Sequence, residues 1–111
     1  MDKFTQIGIL LLAAVFEAGG DAIVRKALHM PAGLSRLLTF GFGAVVLFLY
    51  GYLVNSPAWD FGRLLGIYVV FFFVIAQILS WAVFNQPPTM ATWIGGALIV
   101  AGGAVLGFAT A

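Results

Sequence analysis

The chain contains no cysteine. Disulfides and thiolate metal sites are therefore excluded. Charge is scarce as well. Of 111 residues, 8% are charged, with five basic and four acidic side chains and one histidine. So few charges cannot cover a water-facing domain. There is no basic run to bind nucleic acid, and a net charge of +1 calls for no such partner. His29 stands alone. No metal cluster, nucleophile triad or phosphate-binding loop can be read, so neither an enzyme nor a cofactor is expected. What is present is apolar: 63% of residues are hydrophobic and the mean hydropathy is +1.12. The expectation is an integral membrane protein. A cleaved signal peptide does not account for it, because apolar segments continue to the C-terminus.

One membrane-spanning helix needs about 20 mostly apolar residues. Four candidates fit: residues 5–28, 35–54, 62–84 and 88–110. The expected fold is therefore all-α, a single four-helix transmembrane domain over residues 1–111. The breaks read "HMPAG", "NSPAWD" and "NQPP", and a proline biases the residue before it away from helix. A β-barrel strand would alternate apolar and polar residues. "YVVFFFVIA" and "ALIVAGGAVL" do not.

Lys3 and Arg63 fall on one side of the membrane, and Arg25, Lys26 and Arg36 on the other. With the terminal amine added, the count is nearly even. A weak bias often carries no information, and it is also what a chain inserting in both orientations would show. Four helices are too few to enclose a solute path and still shield polar groups from lipid. A homodimer of eight helices, parallel or antiparallel, would supply that interior. In the fourth helix Gly96, Gly103 and Gly107 recur at spacings of seven and four, with Gly95 and Gly102 alongside. Small residues let helices approach closely. We read Gly96, Gly103 and Gly107 as a dimer contact, the alternative being packing inside one subunit.

The first helix carries Glu17, Asp21 and Arg25 at four-residue spacing. Residues four apart lie about 40° apart around a helix axis, so the three form one slanted line. Leu10, Ala13, Ala14 and Gly20 lie near the same face and leave it room for an approaching group. Glu17 is deep in the apolar run. A bare carboxylate there costs several kcal/mol, so it should pair or carry a proton. A carboxyl that takes a proton or a cation, but not both, is the physical basis of an exchanger. Glu17 has no basic residue within one turn. Asp21 is expected either to pair with Arg25 or to serve as a second carboxylate. Arg25 and Lys26 read as headgroup anchors.

This stretch resembles the first helix of the small multidrug resistance family, within the drug/metabolite transporter superfamily. Glu17, Gly20 and Arg25 match that family's membrane-embedded glutamate, small residue and basic residue. "GLSRL", residues 33–37, is similar to the opening of its second helix. "LSWAVF" and "WIGGALIVAGGAVLGF" resemble the end of its third helix and its fourth. The resemblance implies an antiparallel homodimer whose two glutamates form one site shared by protons and cationic substrates, with the fourth helix making the dimer contact. The third helix departs from the pattern. Leu65 falls where the family has Tyr, Tyr68 where it has Trp, and Val70 and Phe72 replace two glycines. Asp21 is also extra.

Tyr68 is the aromatic placed at the site by this resemblance, where it would stack on a cation. Trp59, Trp93, Tyr50 and Tyr52 fit an interfacial belt better. Phe71, Phe72 and Phe73 point three ways around their helix. Gln77 either hydrogen-bonds between helices or lines the solute path. The reading is a multi-pass inner-membrane exporter that exchanges protons for small cationic or amphipathic solutes, with Glu17, Asp21, Tyr68 and Gln77 at the site. Its partners are substrate, protons, membrane lipids and itself. A lipid or metabolite transporter of the same superfamily, an accessory subunit and half of a heterodimer are the alternatives.

Overall fold

The computed structural model describes residues 2–108. Its four helices are α1 (Lys3–Leu28), α2 (Leu34–Val54), α3 (Phe61–Ala82) and α4 (Met90–Phe108). All four are long and apolar enough to cross a membrane. The protein is an all-α, multi-pass membrane protein. Residues 109 and 110, expected in the fourth helix, lie outside the described residues.

The ends of the helices differ from the sequence reading for local reasons. α1 begins at Lys3 rather than residue 5, because the Asp2 carboxylate accepts the Thr5 amide at 2.7 Å. That is the bond an N-cap makes to an otherwise unpaired first-turn donor. α3 ends at Ala82 rather than residue 84. Asn85 turns the chain with φ 55°, and Ser80 and Gln86 exchange hydrogen bonds across the turn, Gln86 N–H to Ser80 O at 2.9 Å and Ser80 Oγ to Gln86 O at 3.1 Å. α4 starts after its prolines, at Met90, because the Thr89 hydroxyl accepts the Thr92 amide at 3.2 Å. Gly33, before α2, has φ 151°, a backbone conformation that side chains disfavour.

The helices lie side by side in the order α2, α1, α3, α4. α1 packs on both α2 and α3, and α4 packs on α3. The result is a slab of 53 × 35 × 20 Å. Small residues set the spacing. A Cβ on Gly20 would sit 2.7 Å from Leu47 Cδ2, and one on Gly43 2.9 Å from Val24 Cγ2. α1 and α2 therefore cross with almost no gap between their backbones. The core is small: Leu10, Ala13, Ala14, Val54, Leu64 and Tyr68 cluster where α1, α2 and α3 meet. Much apolar bulk points outward, including Phe42, Phe48, Leu98 and Val105. That surface suits lipid or another protein chain, not water.

Two arginines close helix ends. Arg36 Nε donates to Ala27 O at 3.1 Å, near the end of α1, and Arg63 Nε donates to Leu106 O at 3.1 Å, near the end of α4. Each cation satisfies a terminal carbonyl and opposes the partial negative charge of a helix C-terminus. Each also lies over a ring, Arg36 over Phe40 and Arg63 over Trp59. The Trp59 indole donates to Gln6 Oε1 at 3.1 Å, tying the α2–α3 connection to α1.

Candidate functional site

Glu17 lies midway along α1, about 16 Å of helix from Gln6 on one side and from Leu28 on the other. Its side chain is half-buried and faces α3. There the Tyr68 hydroxyl donates to Glu17 Oε1 at 2.9 Å. Tyr68 is buried, with 3% of its surface exposed. It is held from both sides, with the Tyr50 ring centroid 5.7 Å away and that of Phe72 6.4 Å away, both stacked at about 30°. Three helices thus contribute to one arrangement: a carboxyl from α1, a phenol from α3 and an aromatic support from α2. A phenol that donates to a carboxylate offers a neutral partner, which leaves the charge available to a proton or cation.

Asp21 lies one turn further along α1 and is exposed in the single chain. It lines a cavity of about 290 Å³ with Arg25, Phe72, Ala76, Ser80 and Phe84 among its other walls. The Arg25 guanidinium carbon lies over the Phe84 ring, 5.4 Å from its centroid. Gln77 does not join this site. It is nine residues from Tyr68, which at about 100° per residue is the opposite face of α3. It lines a groove of about 680 Å³ between α3 and α4, walled by Trp81, Trp93 and Ala97 among others.

The glycines of α4 divide into two faces. Gly96 and Gly103 are buried against α3 of the same subunit, Gly96 on the Phe73 ring and Gly103 on Val70. These two pack within one subunit, the alternative weighed from the sequence. Gly95, Gly102 and Gly107 have open space where a Cβ would stand. The small residues near Glu17 also have a different use from the one expected. Leu10, Ala13 and Ala14 are fully buried in the core, and Leu47 fills the space above Gly20. They bring helices together and do not leave room for a ligand.

Tyr50 is the residue that the sequence reading misplaced in the interfacial belt. Seven positions earlier on α2 is Gly43, the close contact with α1. A seven-residue spacing keeps a helical face, so Tyr50 had to turn toward α1 and α3. The three phenylalanines divide as their spacing requires: Phe71 packs on the core, Phe72 stacks on Tyr68 and Phe73 meets α4.

Sequence comparison places the chain among small bacterial membrane proteins. It is 31% identical over 112 residues to a UPF0060 membrane protein of Clostridium perfringens, covering 98% of this chain and 97% of the relative. It is 32% identical over 104 residues to the UPF0060 membrane protein YfjF of Bacillus subtilis, covering 91% of each. It is 34% identical over 104 residues to a UPF0060 membrane protein of Saccharopolyspora erythraea, covering 91% of this chain and 90% of the relative. No family profile and no solved structure matches the chain. With similarity running nearly end to end, the chain belongs to the UPF0060 family of membrane proteins.

Proposed function

We propose that the protein is a proton-coupled exporter of small cationic or amphipathic solutes, related to the small multidrug resistance family and working as a homodimer. Glu17 is the group that protons and substrate share. The observation that carries this reading is the hydrogen bond from Tyr68 to Glu17 at 2.9 Å, at mid-depth of a membrane-spanning helix. A carboxyl kept at that depth is costly unless it has work to do. Tyr68 holds it in one orientation without neutralising it. A proton and a cation then compete for one oxygen pair, and binding of either releases the other. The exposure of Asp21 and the apolar outer surface support a second copy covering this side of α1. Tyr68 is a positioning residue for Glu17, while Gln77 belongs to the α3–α4 groove.

The test is substrate-driven proton release. Purified protein in detergent, weakly buffered, is given tetraphenylphosphonium or a quaternary ammonium cation while pH is recorded. The wild type is expected to release protons and Glu17→Gln to release none. Silence from both, with the protein intact and dimeric, overturns the exchanger reading.

A further inference from the structure

The cavity beyond Glu17 carries charges of both signs. Asp21 and Arg25, one turn apart on α1, both line it. Phe72 and Phe84 give it aromatic walls, Ala76 leaves it open, and Ser80 stands at its α3 side. Glu17 is not among its walls. We propose that this cavity binds an amphoteric solute: an ammonium group at Asp21, a carboxylate at Arg25 and an apolar or aromatic body against Phe72. The proposal rests on reading the protein as a solute carrier, and it names the class of solute.

The argument is one of complementarity. A simple cation entering here meets Asp21 favourably but is repelled by the Arg25 guanidinium at close range. A simple anion meets the converse. A ligand with both charges a few bonds apart satisfies both walls and leaves no like-charge contact. Arg25 is suited to its part. Its guanidinium carbon lies 5.4 Å from the centroid of the Phe84 ring, within reach of a cation–π attraction. A guanidinium carries its N–H groups around the edge of its plane, and that edge is the one a carboxylate meets with two parallel hydrogen bonds. Phe84 thus holds the fork in place at little further entropic cost. Ala18, Ala22 and Ala76 keep the walls of α1 and α3 apart, which leaves about 290 Å³ for a body of modest size. The position is also appropriate. The cavity lies between Glu17 and the membrane face where α1 ends, so a solute held here is one helical turn from the exchanging carboxyl.

The proposal is tested by equilibrium binding to the purified full-length protein with three matched probes. These are L-phenylalanine, phenethylamine, which lacks the carboxylate, and 3-phenylpropionate, which lacks the amine. Phenylalanine is expected to bind about tenfold more tightly than either analogue, the advantage a charge-assisted pair confers. Arg25→Gln is expected to erase the advantage over phenethylamine, which itself binds more tightly once the like charge is gone. Asp21→Asn is expected to erase the advantage over 3-phenylpropionate. Ala76→Leu, which keeps both charges and fills the cavity, is expected to weaken all three probes. Phenylalanine binding no tighter than phenethylamine, or ratios unmoved in Arg25→Gln and Asp21→Asn, overturns the proposal. Proton release by tetraphenylphosphonium is measured on the same samples. If it persists while the phenylalanine preference is absent, the amphoteric site is rejected and the Glu17 reading stands. If it is absent while the preference is present, the Glu17 reading fails alone.

Discussion

At the scale of the residue, the site depends on how Tyr68 is held. The phenol is buried and stacked between Tyr50 and Phe72, so its hydroxyl has little choice of direction. The hydroxyl and the ring can be separated by substitution. Tyr68→Phe keeps the stacking and removes only the donor to Glu17. It is expected to fold normally, to lose about 1 kcal/mol of stability, and to bind tetraphenylphosphonium severalfold more weakly as the carboxylate loses its fixed orientation. Equilibrium binding beside a thermal melt checks this. Wild-type affinity in Tyr68→Phe would mean the hydrogen bond plays no part in recognition. Tyr50 makes the same point about reading a chain. Its position near the end of α2 suits a membrane interface, and only the contact at Gly43 turns it inward.

At the scale of the element, α4 shows how one helix carries two faces of glycine with different consequences. Gly103 meets Val70, and a β-branched side chain in a helix is stiff about its first torsion. A methyl group added at Gly103 therefore has no easy escape. Gly103→Ala is expected to destabilise the α3–α4 contact by about 1–3 kcal/mol. Gly102→Ala, one position earlier and facing open space, is expected to leave the subunit as stable as the wild type. Thermal unfolding of the two variants in the same detergent distinguishes them. Equal melting would mean that α4 is free to shift along α3. The helix ends follow the same local logic. Thr89 and Asp2 start helices by accepting a first-turn amide, and Arg36 and Arg63 close them by donating to a last-turn carbonyl.

At the scale of the whole molecule, the slab is thin and its outer faces are apolar. Asp21 and Arg25 are both exposed on it, and charged side chains open to lipid are unfavourable. A second subunit covering this face would relieve that cost, which is why the proposed function is a dimer's. The near balance of Lys3 and Arg63 against Arg25, Lys26 and Arg36 bears on how two copies would insert. The absence of cysteine makes the test direct. A single cysteine placed at Ser56, in the α2–α3 connection, is expected to be labelled by a membrane-impermeant thiol reagent from both sides of the membrane if subunits insert in opposite senses. Labelling from one side alone would establish a parallel arrangement.

The number of helices, their membrane-spanning character and the singular position of Glu17 were legible in the chain. They follow from local quantities: apolar run length, proline placement and the cost of a charge at depth. The helix neighbours were not legible, because contacts between helices depend on which side chains meet across a gap. Gly96 and Gly103 could equally have faced a partner, and it is the position of α3 that sets them against Phe73 and Val70. Gln77 and Tyr68 share a helix, yet rotation about its axis sends one to the α3–α4 groove and the other to Glu17. The cavity at Asp21 and Arg25 is likewise a product of assembly. Spacing puts both charges on one face of α1, but Phe72, Ser80 and Phe84 reach that face only once α3 has packed against it.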